Sequence, residues 1–202
     1  MGRCLVSLLC LGTLLGLCRG FPGSSCPAPS FQRATNDLSQ LWDELDGGER
    51  DKRFMKMALS QALLAQASNE VPIGAVIVSE DGTVIGEGHN QVEGLGDATA
   101  HAEMLAVREA SQRQGGWRLE GSTMYCTVEP CAMCLSAAAL ARVSRVVYGT
   151  RDVRLGAAGS WVDLTQSRHP YHQIEVEGGV LEVQSRQMMQ GFFRHRRREA
   201  QG

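Results

Sequence analysis

No sign of charge dominates this chain. Its 202 residues carry a formal net charge of −2, and from Arg53 onward Lys and Arg nearly balance Asp and Glu. That balance excludes a general polyanion binder, so any nucleic-acid contact must be a local patch. Disulfide scaffolding is excluded as well. Of the seven cysteines, Cys4, Cys10, Cys18 and Cys26 fall at the N-terminus, leaving the body with Cys126, Cys131 and Cys134. An odd set of three suits a reducing compartment. The apolar run from Cys4 to Cys18 is too short to span a bilayer comfortably. There is no internal repeat and no low-complexity segment, and the length suffices for one domain with a sizeable core.

What is present at the N-terminus is an apolar leader behind Arg3, of signal-peptide length. Phe21-Pro22 follows Arg19-Gly20. Residues 21–36 contain Ser, Thr and Arg33 but no acid, and acidic residues begin at Asp37. The pattern resembles the bipartite presequence of algae with secondary plastids, which implies a plastid; the alternative is the secretory pathway or another organelle. The chain therefore divides into a leader (1–20), a transit-like segment and linker (21–52), a catalytic body (53–198) and a short tail (199–202).

Periodicity predicts a short linker helix through Leu38, Leu41, Trp42 and Leu45, stopped by Gly47-Gly48. A stronger helix follows over Phe54–Ala67, with Phe54, Met57, Ala58, Leu64 and Ala65 as its apolar stripe. Strands are expected at Ile73–Val78 and Val84–Asn90 around a turn at Glu80–Thr83. A Gly-rich loop, Glu93–Ala98, then leads to a helix near His101. A strand at Ser122–Val128, a helix at Cys131–Ala141, strands at Arg145–Tyr148 and Ile174–Val176, and a helix at Val183–Arg198 complete the pattern. Strands alternating with helices indicate an α/β fold, a sheet between helical layers.

The chemistry concentrates in His101-Ala102-Glu103 and Pro130-Cys131-Ala132-Met133-Cys134. His101, Cys131 and Cys134 are zinc ligands by type and spacing. No fourth Cys or His stands at motif spacing, and three protein ligands with an open position mark a catalytic rather than a structural zinc. Glu103 is left free to move protons. Pro130 suits a first helical position, so Cys131 and Cys134 would share the first turn, where the helix dipole favours thiolates. Two thiolates and a neutral imidazole leave a zinc centre formally neutral, and water held there ionises near pH ~7 rather than 15.7. His-x-Glu with Pro-Cys-x-x-Cys is the known signature of zinc nucleobase deaminases.

With these motifs the chain resembles the bacterial- and plastid-type tRNA-specific adenosine deaminases, the TadA family, within the cytidine/deoxycytidylate deaminase superfamily. The resemblance spans about Phe54 to Arg198. It is carried by Glu70-Val71-Pro72-Ile73-Gly74-Ala75-Val76, Gly86-Glu87-Gly88-His89-Asn90, Thr99–Glu103 and Thr127–Cys134. Gly149-Thr150-Arg151-Asp152, Gly156-Ala157-Ala158-Gly159-Ser160 and Gly191-Phe192-Phe193-Arg194 complete it. It implies a three-layer cytidine-deaminase-like fold on a five-stranded mixed sheet, one Zn2+ per subunit, and a homodimer without a membrane in the mature form. The implied reaction converts the wobble adenosine of a tRNA anticodon, classically an arginine tRNA, to inosine, with Glu103 as proton shuttle. The implied substrate contacts are Asn90 to the flipped base, Glu70, Val71 and Pro72 in the pocket wall, and Arg151 and Asp152 beside the target.

Read without the resemblance, Asn90 is a strand-end residue bonding its own turn, and Arg151-Asp152 is a surface ion pair. Two basic clusters stand out in a near-neutral domain: Arg142, Arg145, Arg151 and Arg154, and Arg194, Arg196, Arg197 and Arg198. Phe192 and Phe193 adjoin the second, and one is expected to pack while the other, Phe193 beside Arg194, stacks on RNA. His89 stands where a larger aromatic is expected, Cys126 reads as a small core residue, and His169 and His172 have no evident partner. The alternatives are a deaminase of a free nucleoside, nucleotide or base (cytidine, dCMP, guanine), a non-catalytic RNA-binding subunit, and a structural zinc module. Glu103 argues against the second, and the missing fourth ligand against the third.

Overall fold

The computed structural model describes residues 47–166 and 172–201. The expected leader, the Leu38–Leu45 helix and His169 lie outside the described residues. Strands β1 (Gly74–Val78), β2 (Val84–His89), β3 (Thr123–Val128), β4 (Arg145–Thr150) and β5 (Glu175–Gly178) form one sheet in the order β2-β1-β3-β4-β5. β1 runs antiparallel to both β2 and β3, and β3, β4 and β5 are mutually parallel. The helices are α1 (Gly47–Ala67), α2 (Val92–Leu95), α3 (Ala102–Gln114), α4 (Ala132–Leu140) and α5 (Glu182–Glu199). The expected five-stranded mixed sheet and α/β class are what the chain forms.

The central strands are β-branched and buried on both faces, as a sheet covered by helices requires. On one face Val76, Val78, Tyr125 and Val147 pack against Phe54, Met55 and Ala58 of α1. On the other, Ala75, Ile77, Cys126 and Val146 meet Ala102, Ala106 and Ala110 of α3 and Leu135 and Ala138 of α4. α5 seats Ser185 against Gly149 and buries Phe192. The small residues allow close approach. A Cβ on Gly86 would stand 2.3 Å from the Ala106 carbonyl, and one on Gly88 2.2 Å from that of Ala102. Helix α3 thus lies on β2 at backbone contact, and this fixes the position of its N-terminus.

Several boundaries differ from the sequence pattern. Gly47-Gly48, expected as a helix stop, lie in the first turn of α1. Tertiary contacts override the glycines, because Asp51 is anchored. Its carboxylate accepts both Arg145 guanidinium nitrogens, at 2.9 and 2.8 Å, and the Tyr125 hydroxyl at 2.8 Å. Leu64 is half exposed, while Ala65 is buried as expected, together with Ala62. The expected Gly-rich loop contains the short α2, closed by Gly96 in the left-handed conformation. β4 continues past Tyr148 to pair Thr150 with Val128.

The Asp51–Arg145–Tyr125 knot ties α1 to β3 and β4, and Arg145 also reaches Glu177 of β5. Burial alone would raise the Asp51 pKa, but the hydrogen bonds from Arg145 and Tyr125 outweigh it and hold the carboxyl below its ordinary value. A depressed folded pKa stabilises the fold above the unfolded value and loses that contribution as pH falls through the folded one. Asp51→Asn should therefore cost about 3 kcal/mol of unfolding free energy. The deficit should be constant above the ordinary aspartate value of about 3.9 and shrink below it. Urea titrations of both proteins across that range test this, and an equal deficit in acid would refute it.

Candidate active site

Parallel strands β3 and β4 end on the same side of the sheet, where antiparallel β1 begins. Crevices beyond the carboxyl ends of parallel strands are where α/β sheets bind ligands. Here that edge gathers Glu70–Ile73 before β1, Asn90 after β2, Glu129–Cys131 after β3 and Arg151–Leu155 after β4. Helices α3 and α4 point their N-termini into it.

His101 is the residue before α3, with φ −71° and ψ 151°, and Cys131 is the residue before α4, with φ −72° and ψ 171°. Pro130 therefore precedes the cap rather than opening the helix as expected. Its carbonyl accepts Ala157 N–H at 2.9 Å, which pins the chain as it enters α4. Neither His101 nor Cys131 caps its helix with its side chain; the two side chains meet each other instead. His101 Nδ1 stands 3.7 Å from Cys131 Sγ and 3.5 Å from Cys134 Sγ, and the sulfurs are 3.6 Å apart.

That triangle fits zinc. Sulfurs about 2.3 Å and a nitrogen about 2.0 Å from a tetrahedral zinc would be separated by about 3.8 Å and about 3.5 Å. The donor set, two sulfurs and an imidazole, is also the right chemistry, so His101, Cys131 and Cys134 could hold Zn2+. No fourth ligand joins the group among the described residues. Cys126 is buried in β3 and contacts the Val147 carbonyl, at 3.8 Å; burial pushes its thiol well up.

Protons are shared unequally across the triangle. The contact with Cys134 takes the Cys131 thiol down to about 4, and His101 adds to the effect. The same sulfur contact, with burial, pushes Cys134 up. Cys131 raises His101 against the opposing effect of burial. Glu103 is buried two residues beyond His101, within hydrogen-bonding reach of Cys134. Desolvation lifts it to about 7, with the Cys131 charge adding to the rise. A carboxyl that exchanges a proton near neutrality is suited to general acid–base work.

From His101 a groove of about 1000 Å³ runs outward to α5. Glu70, Val71, Asn90, Arg151, Asp152, Phe193 and Arg194, all anticipated from sequence, line it. Pro72 does not; it is buried between Val71 and Ile73, which do. Asn90 does not bond its own turn. Its side-chain amide donates to Glu70 Oε2 at 2.9 Å, and Glu70 Oε1 accepts Gly94 N–H at 2.7 Å. Asp152 forms no ion pair with Arg151 among the described residues. Its Oδ1 accepts the N–H groups of Arg154 and Leu155 at 2.9 and 3.3 Å.

The first basic cluster is not one cluster. Arg142 and Arg145 stand at the start of β4 and Arg151 and Arg154 beyond its end, about 20 Å apart at ~3.3 Å per residue. Arg145 is taken by Asp51 and Glu177. On α5, Arg194 and Arg197 line the groove, while Arg196 and His195 face Glu199. Phe192 is the ring that packs, and Phe193, 39% exposed, is the one that lines the groove. Sequence reading missed Arg186, Met189 and Gln190. Their spacing with Phe193, Arg194 and Arg197 (i, i+3, i+4, i+7, i+8, i+11) is one helix face and was the available signal. It also missed a partner for His172, whose Nε2–H donates to the Val143 carbonyl at 2.6 Å.

Residues 48–150 match the cytidine and deoxycytidylate deaminase zinc-binding region. The tRNA-specific adenosine deaminase of Bacillus subtilis strain 168 is 44% identical over 150 residues, covering 74% of this chain and 92% of that protein. The chloroplastic tRNA(adenine(34)) deaminase of Arabidopsis thaliana is 39% identical over 186 residues, 82% of this chain but 14% of that much longer protein. Among solved structures, one from studies of A-to-I editing by tRNA:A34 deaminases at the wobble position of transfer RNA aligns with TM-score 0.64 and 40% identity. It covers 67% of this chain and 98% of its own.

Zinc binding displaces protons from the triangle, so affinity should rise with pH. Cys134→Ser should lose more than about 100-fold in zinc affinity, beyond the loss of a supporting contact. Cys126→Ser should keep stoichiometric zinc. Chelator competition at two pH values reads both, and zinc loss in the Cys126 variant equal to that in the Cys134 variant would disprove this ligand set.

Proposed function

The chain belongs to the tRNA-specific adenosine deaminases of the cytidine and deoxycytidylate deaminase zinc-binding family, and we propose that it hydrolyses the wobble adenosine of a tRNA anticodon to inosine. The observation that carries the RNA substrate is the groove. It starts at His101 and ends among Phe193, Arg194 and Arg197, an extent and charge that a free base does not need. Arginines for phosphates and an exposed ring for stacking suit a single-stranded loop. We infer an arginine tRNA as the substrate on family grounds.

Zinc held by His101, Cys131 and Cys134 would supply Lewis acidity that makes water nucleophilic near neutral pH. Glu103 accepts a proton as water oxygen bonds to C6 of adenine, and delivers it to N1. The proton left on the new C6 hydroxyl passes to N6, the C6–N6 bond breaks as the C6 carbonyl forms, and ammonia leaves inosine behind. Asn90 holds the extruded base, and its amide is aimed by the buried Glu70. Val71 and Pro72 shape the pocket wall, Val71 on the groove and Pro72 behind it. Arg151, Asp152, Phe193 and Arg194 hold the neighbouring nucleotides. Incubating the zinc-loaded chain with an anticodon stem-loop bearing a wobble adenosine should yield inosine, with far slower turnover of free adenosine, cytidine or guanine. Glu103→Gln should keep its zinc and lose about 100-fold or more in kcat. Comparable turnover on a free base, or full activity in the Gln variant, would overturn the reading.

Two further proposals concern context. The resemblance supports a homodimer. The chloroplastic relative supports a plastid as its compartment. Sedimentation should give twice the chain mass, and a reporter fused to residues 1–52 should enter plastids. A monomeric mass or a secreted reporter would refute the respective proposal.

A further inference from the structure

Glu129 follows the last residue of β3 and precedes Pro130 and Cys131. It is 3% exposed, yet its partners are all neutral donors from one loop. Oε2 accepts Asp152 N–H at 3.1 Å and the Ser160 hydroxyl. Oε1 accepts Ala158 N–H at 2.9 Å and Ser160 N–H at 3.1 Å. The loop comes in so close that a Cβ on Gly156 would stand 2.4 Å from the Glu129 carboxyl carbon. Cys131 forms a bridge with Gly156, and Ala157 N–H reaches the Pro130 carbonyl. The segment bearing a candidate zinc ligand and the loop bearing the groove wall are thus joined by backbone contacts at Pro130 and Cys131 and, nearer the groove wall, by this one side chain.

The geometry points to Glu129 as the positioning residue of the groove wall: a buried carboxylate that holds Arg151–Leu155 at a set distance from the zinc ligands. Four donors converge on it, and only a carboxylate offers acceptors on both oxygens. The turn made by Asp152 with Arg154 and Leu155 has its own hydrogen bonds, so its shape does not need Glu129. What Glu129 decides is where that turn sits. Its effect therefore falls on the nucleotides the wall holds rather than on proton transfer at the base, which belongs to Glu103. The inference rests on the tRNA reading above.

The test compares wild type, Glu129→Gln and Ser160→Ala as zinc-loaded full chains on the wobble-adenosine stem-loop. A glutamine keeps the volume but turns an NH2 toward two of the donors. Glu129→Gln should retain zinc and raise KM about tenfold with kcat changed less than about threefold, on the worth of hydrogen bonds to a charged group. Ser160→Ala, which removes only the hydroxyl contact, should raise KM about threefold by the same measure. Amide exchange at Asp152, Ala158 and Ser160 should quicken in both variants while β1 and β3 stay protected. An unchanged KM in both variants, or a fall in kcat at constant KM, overturns the positioning role. If Glu129→Gln does not fold, Ser160→Ala decides alone, and an unmoved KM there is a refutation. A wild type that makes no inosine sinks the tRNA reading and this inference with it.

Discussion

Backbone contact between α3 and β2 is the constraint on which the site depends. Gly86 and Gly88 leave no side chain on that face, and Ala102, Ala106 and Ala110 leave little on the helix. The helix can then lie close enough for the residue just before it, His101, to reach the start of α4. His101 meets Cys131 and Cys134 there at 3.5 to 3.7 Å. A single methyl on the strand would lift the helix by an ångström or more, and a tetrahedral triangle tolerates only about 0.2 Å. The metal chemistry is in this sense a consequence of how tightly two secondary-structure elements pack.

Four buried carboxylates then show how environment divides labour among like groups. Asp51 is satisfied by a guanidinium and a phenol and works as a tie between layers. Glu70 accepts an amide and a backbone N–H and aims Asn90. Glu129 accepts three backbone N–H groups and a hydroxyl and anchors a loop. Glu103 is desolvated next to thiols and an imidazole, and it rises to about 7. The acid among them best suited to proton transfer is the one whose surroundings leave its charge least supported.

Legibility in the sequence followed the range of the interaction. His-x-Glu and Pro-Cys-x-x-Cys could be read because each half is a local spacing at a helix start. The ligand count, with no fourth partner, was also visible. Asp51 was not, because its partners lie 74 and 94 residues away, and nothing local sets it apart from other acids in a first helical turn. Glu129 stood in a recognised motif, but its role appears only when residues 152–160 fold back over it. Adjacency misled where geometry differs from order. Arg145 and Arg151 are close in sequence yet at opposite ends of β4, whereas Arg186 and Arg194, about two helical turns apart, share one helix face.

From its sequence alone this protein had an α/β fold, three candidate zinc ligands, a carboxylate left over beside them and a kinship with tRNA-specific adenosine deaminases. The fold class and the candidate site follow from periodicity and short spacings, which are covalent facts of the chain, and the kinship follows from the resemblance of its longer motifs. The tertiary structure alone decided which phenylalanine is buried, which arginines line the groove, what holds Asn90 and what anchors the groove wall. Each of those depends on the phase of a helix or the end of a strand at which a residue emerges. That is set by packing between elements distant in sequence, so no local pattern encodes it.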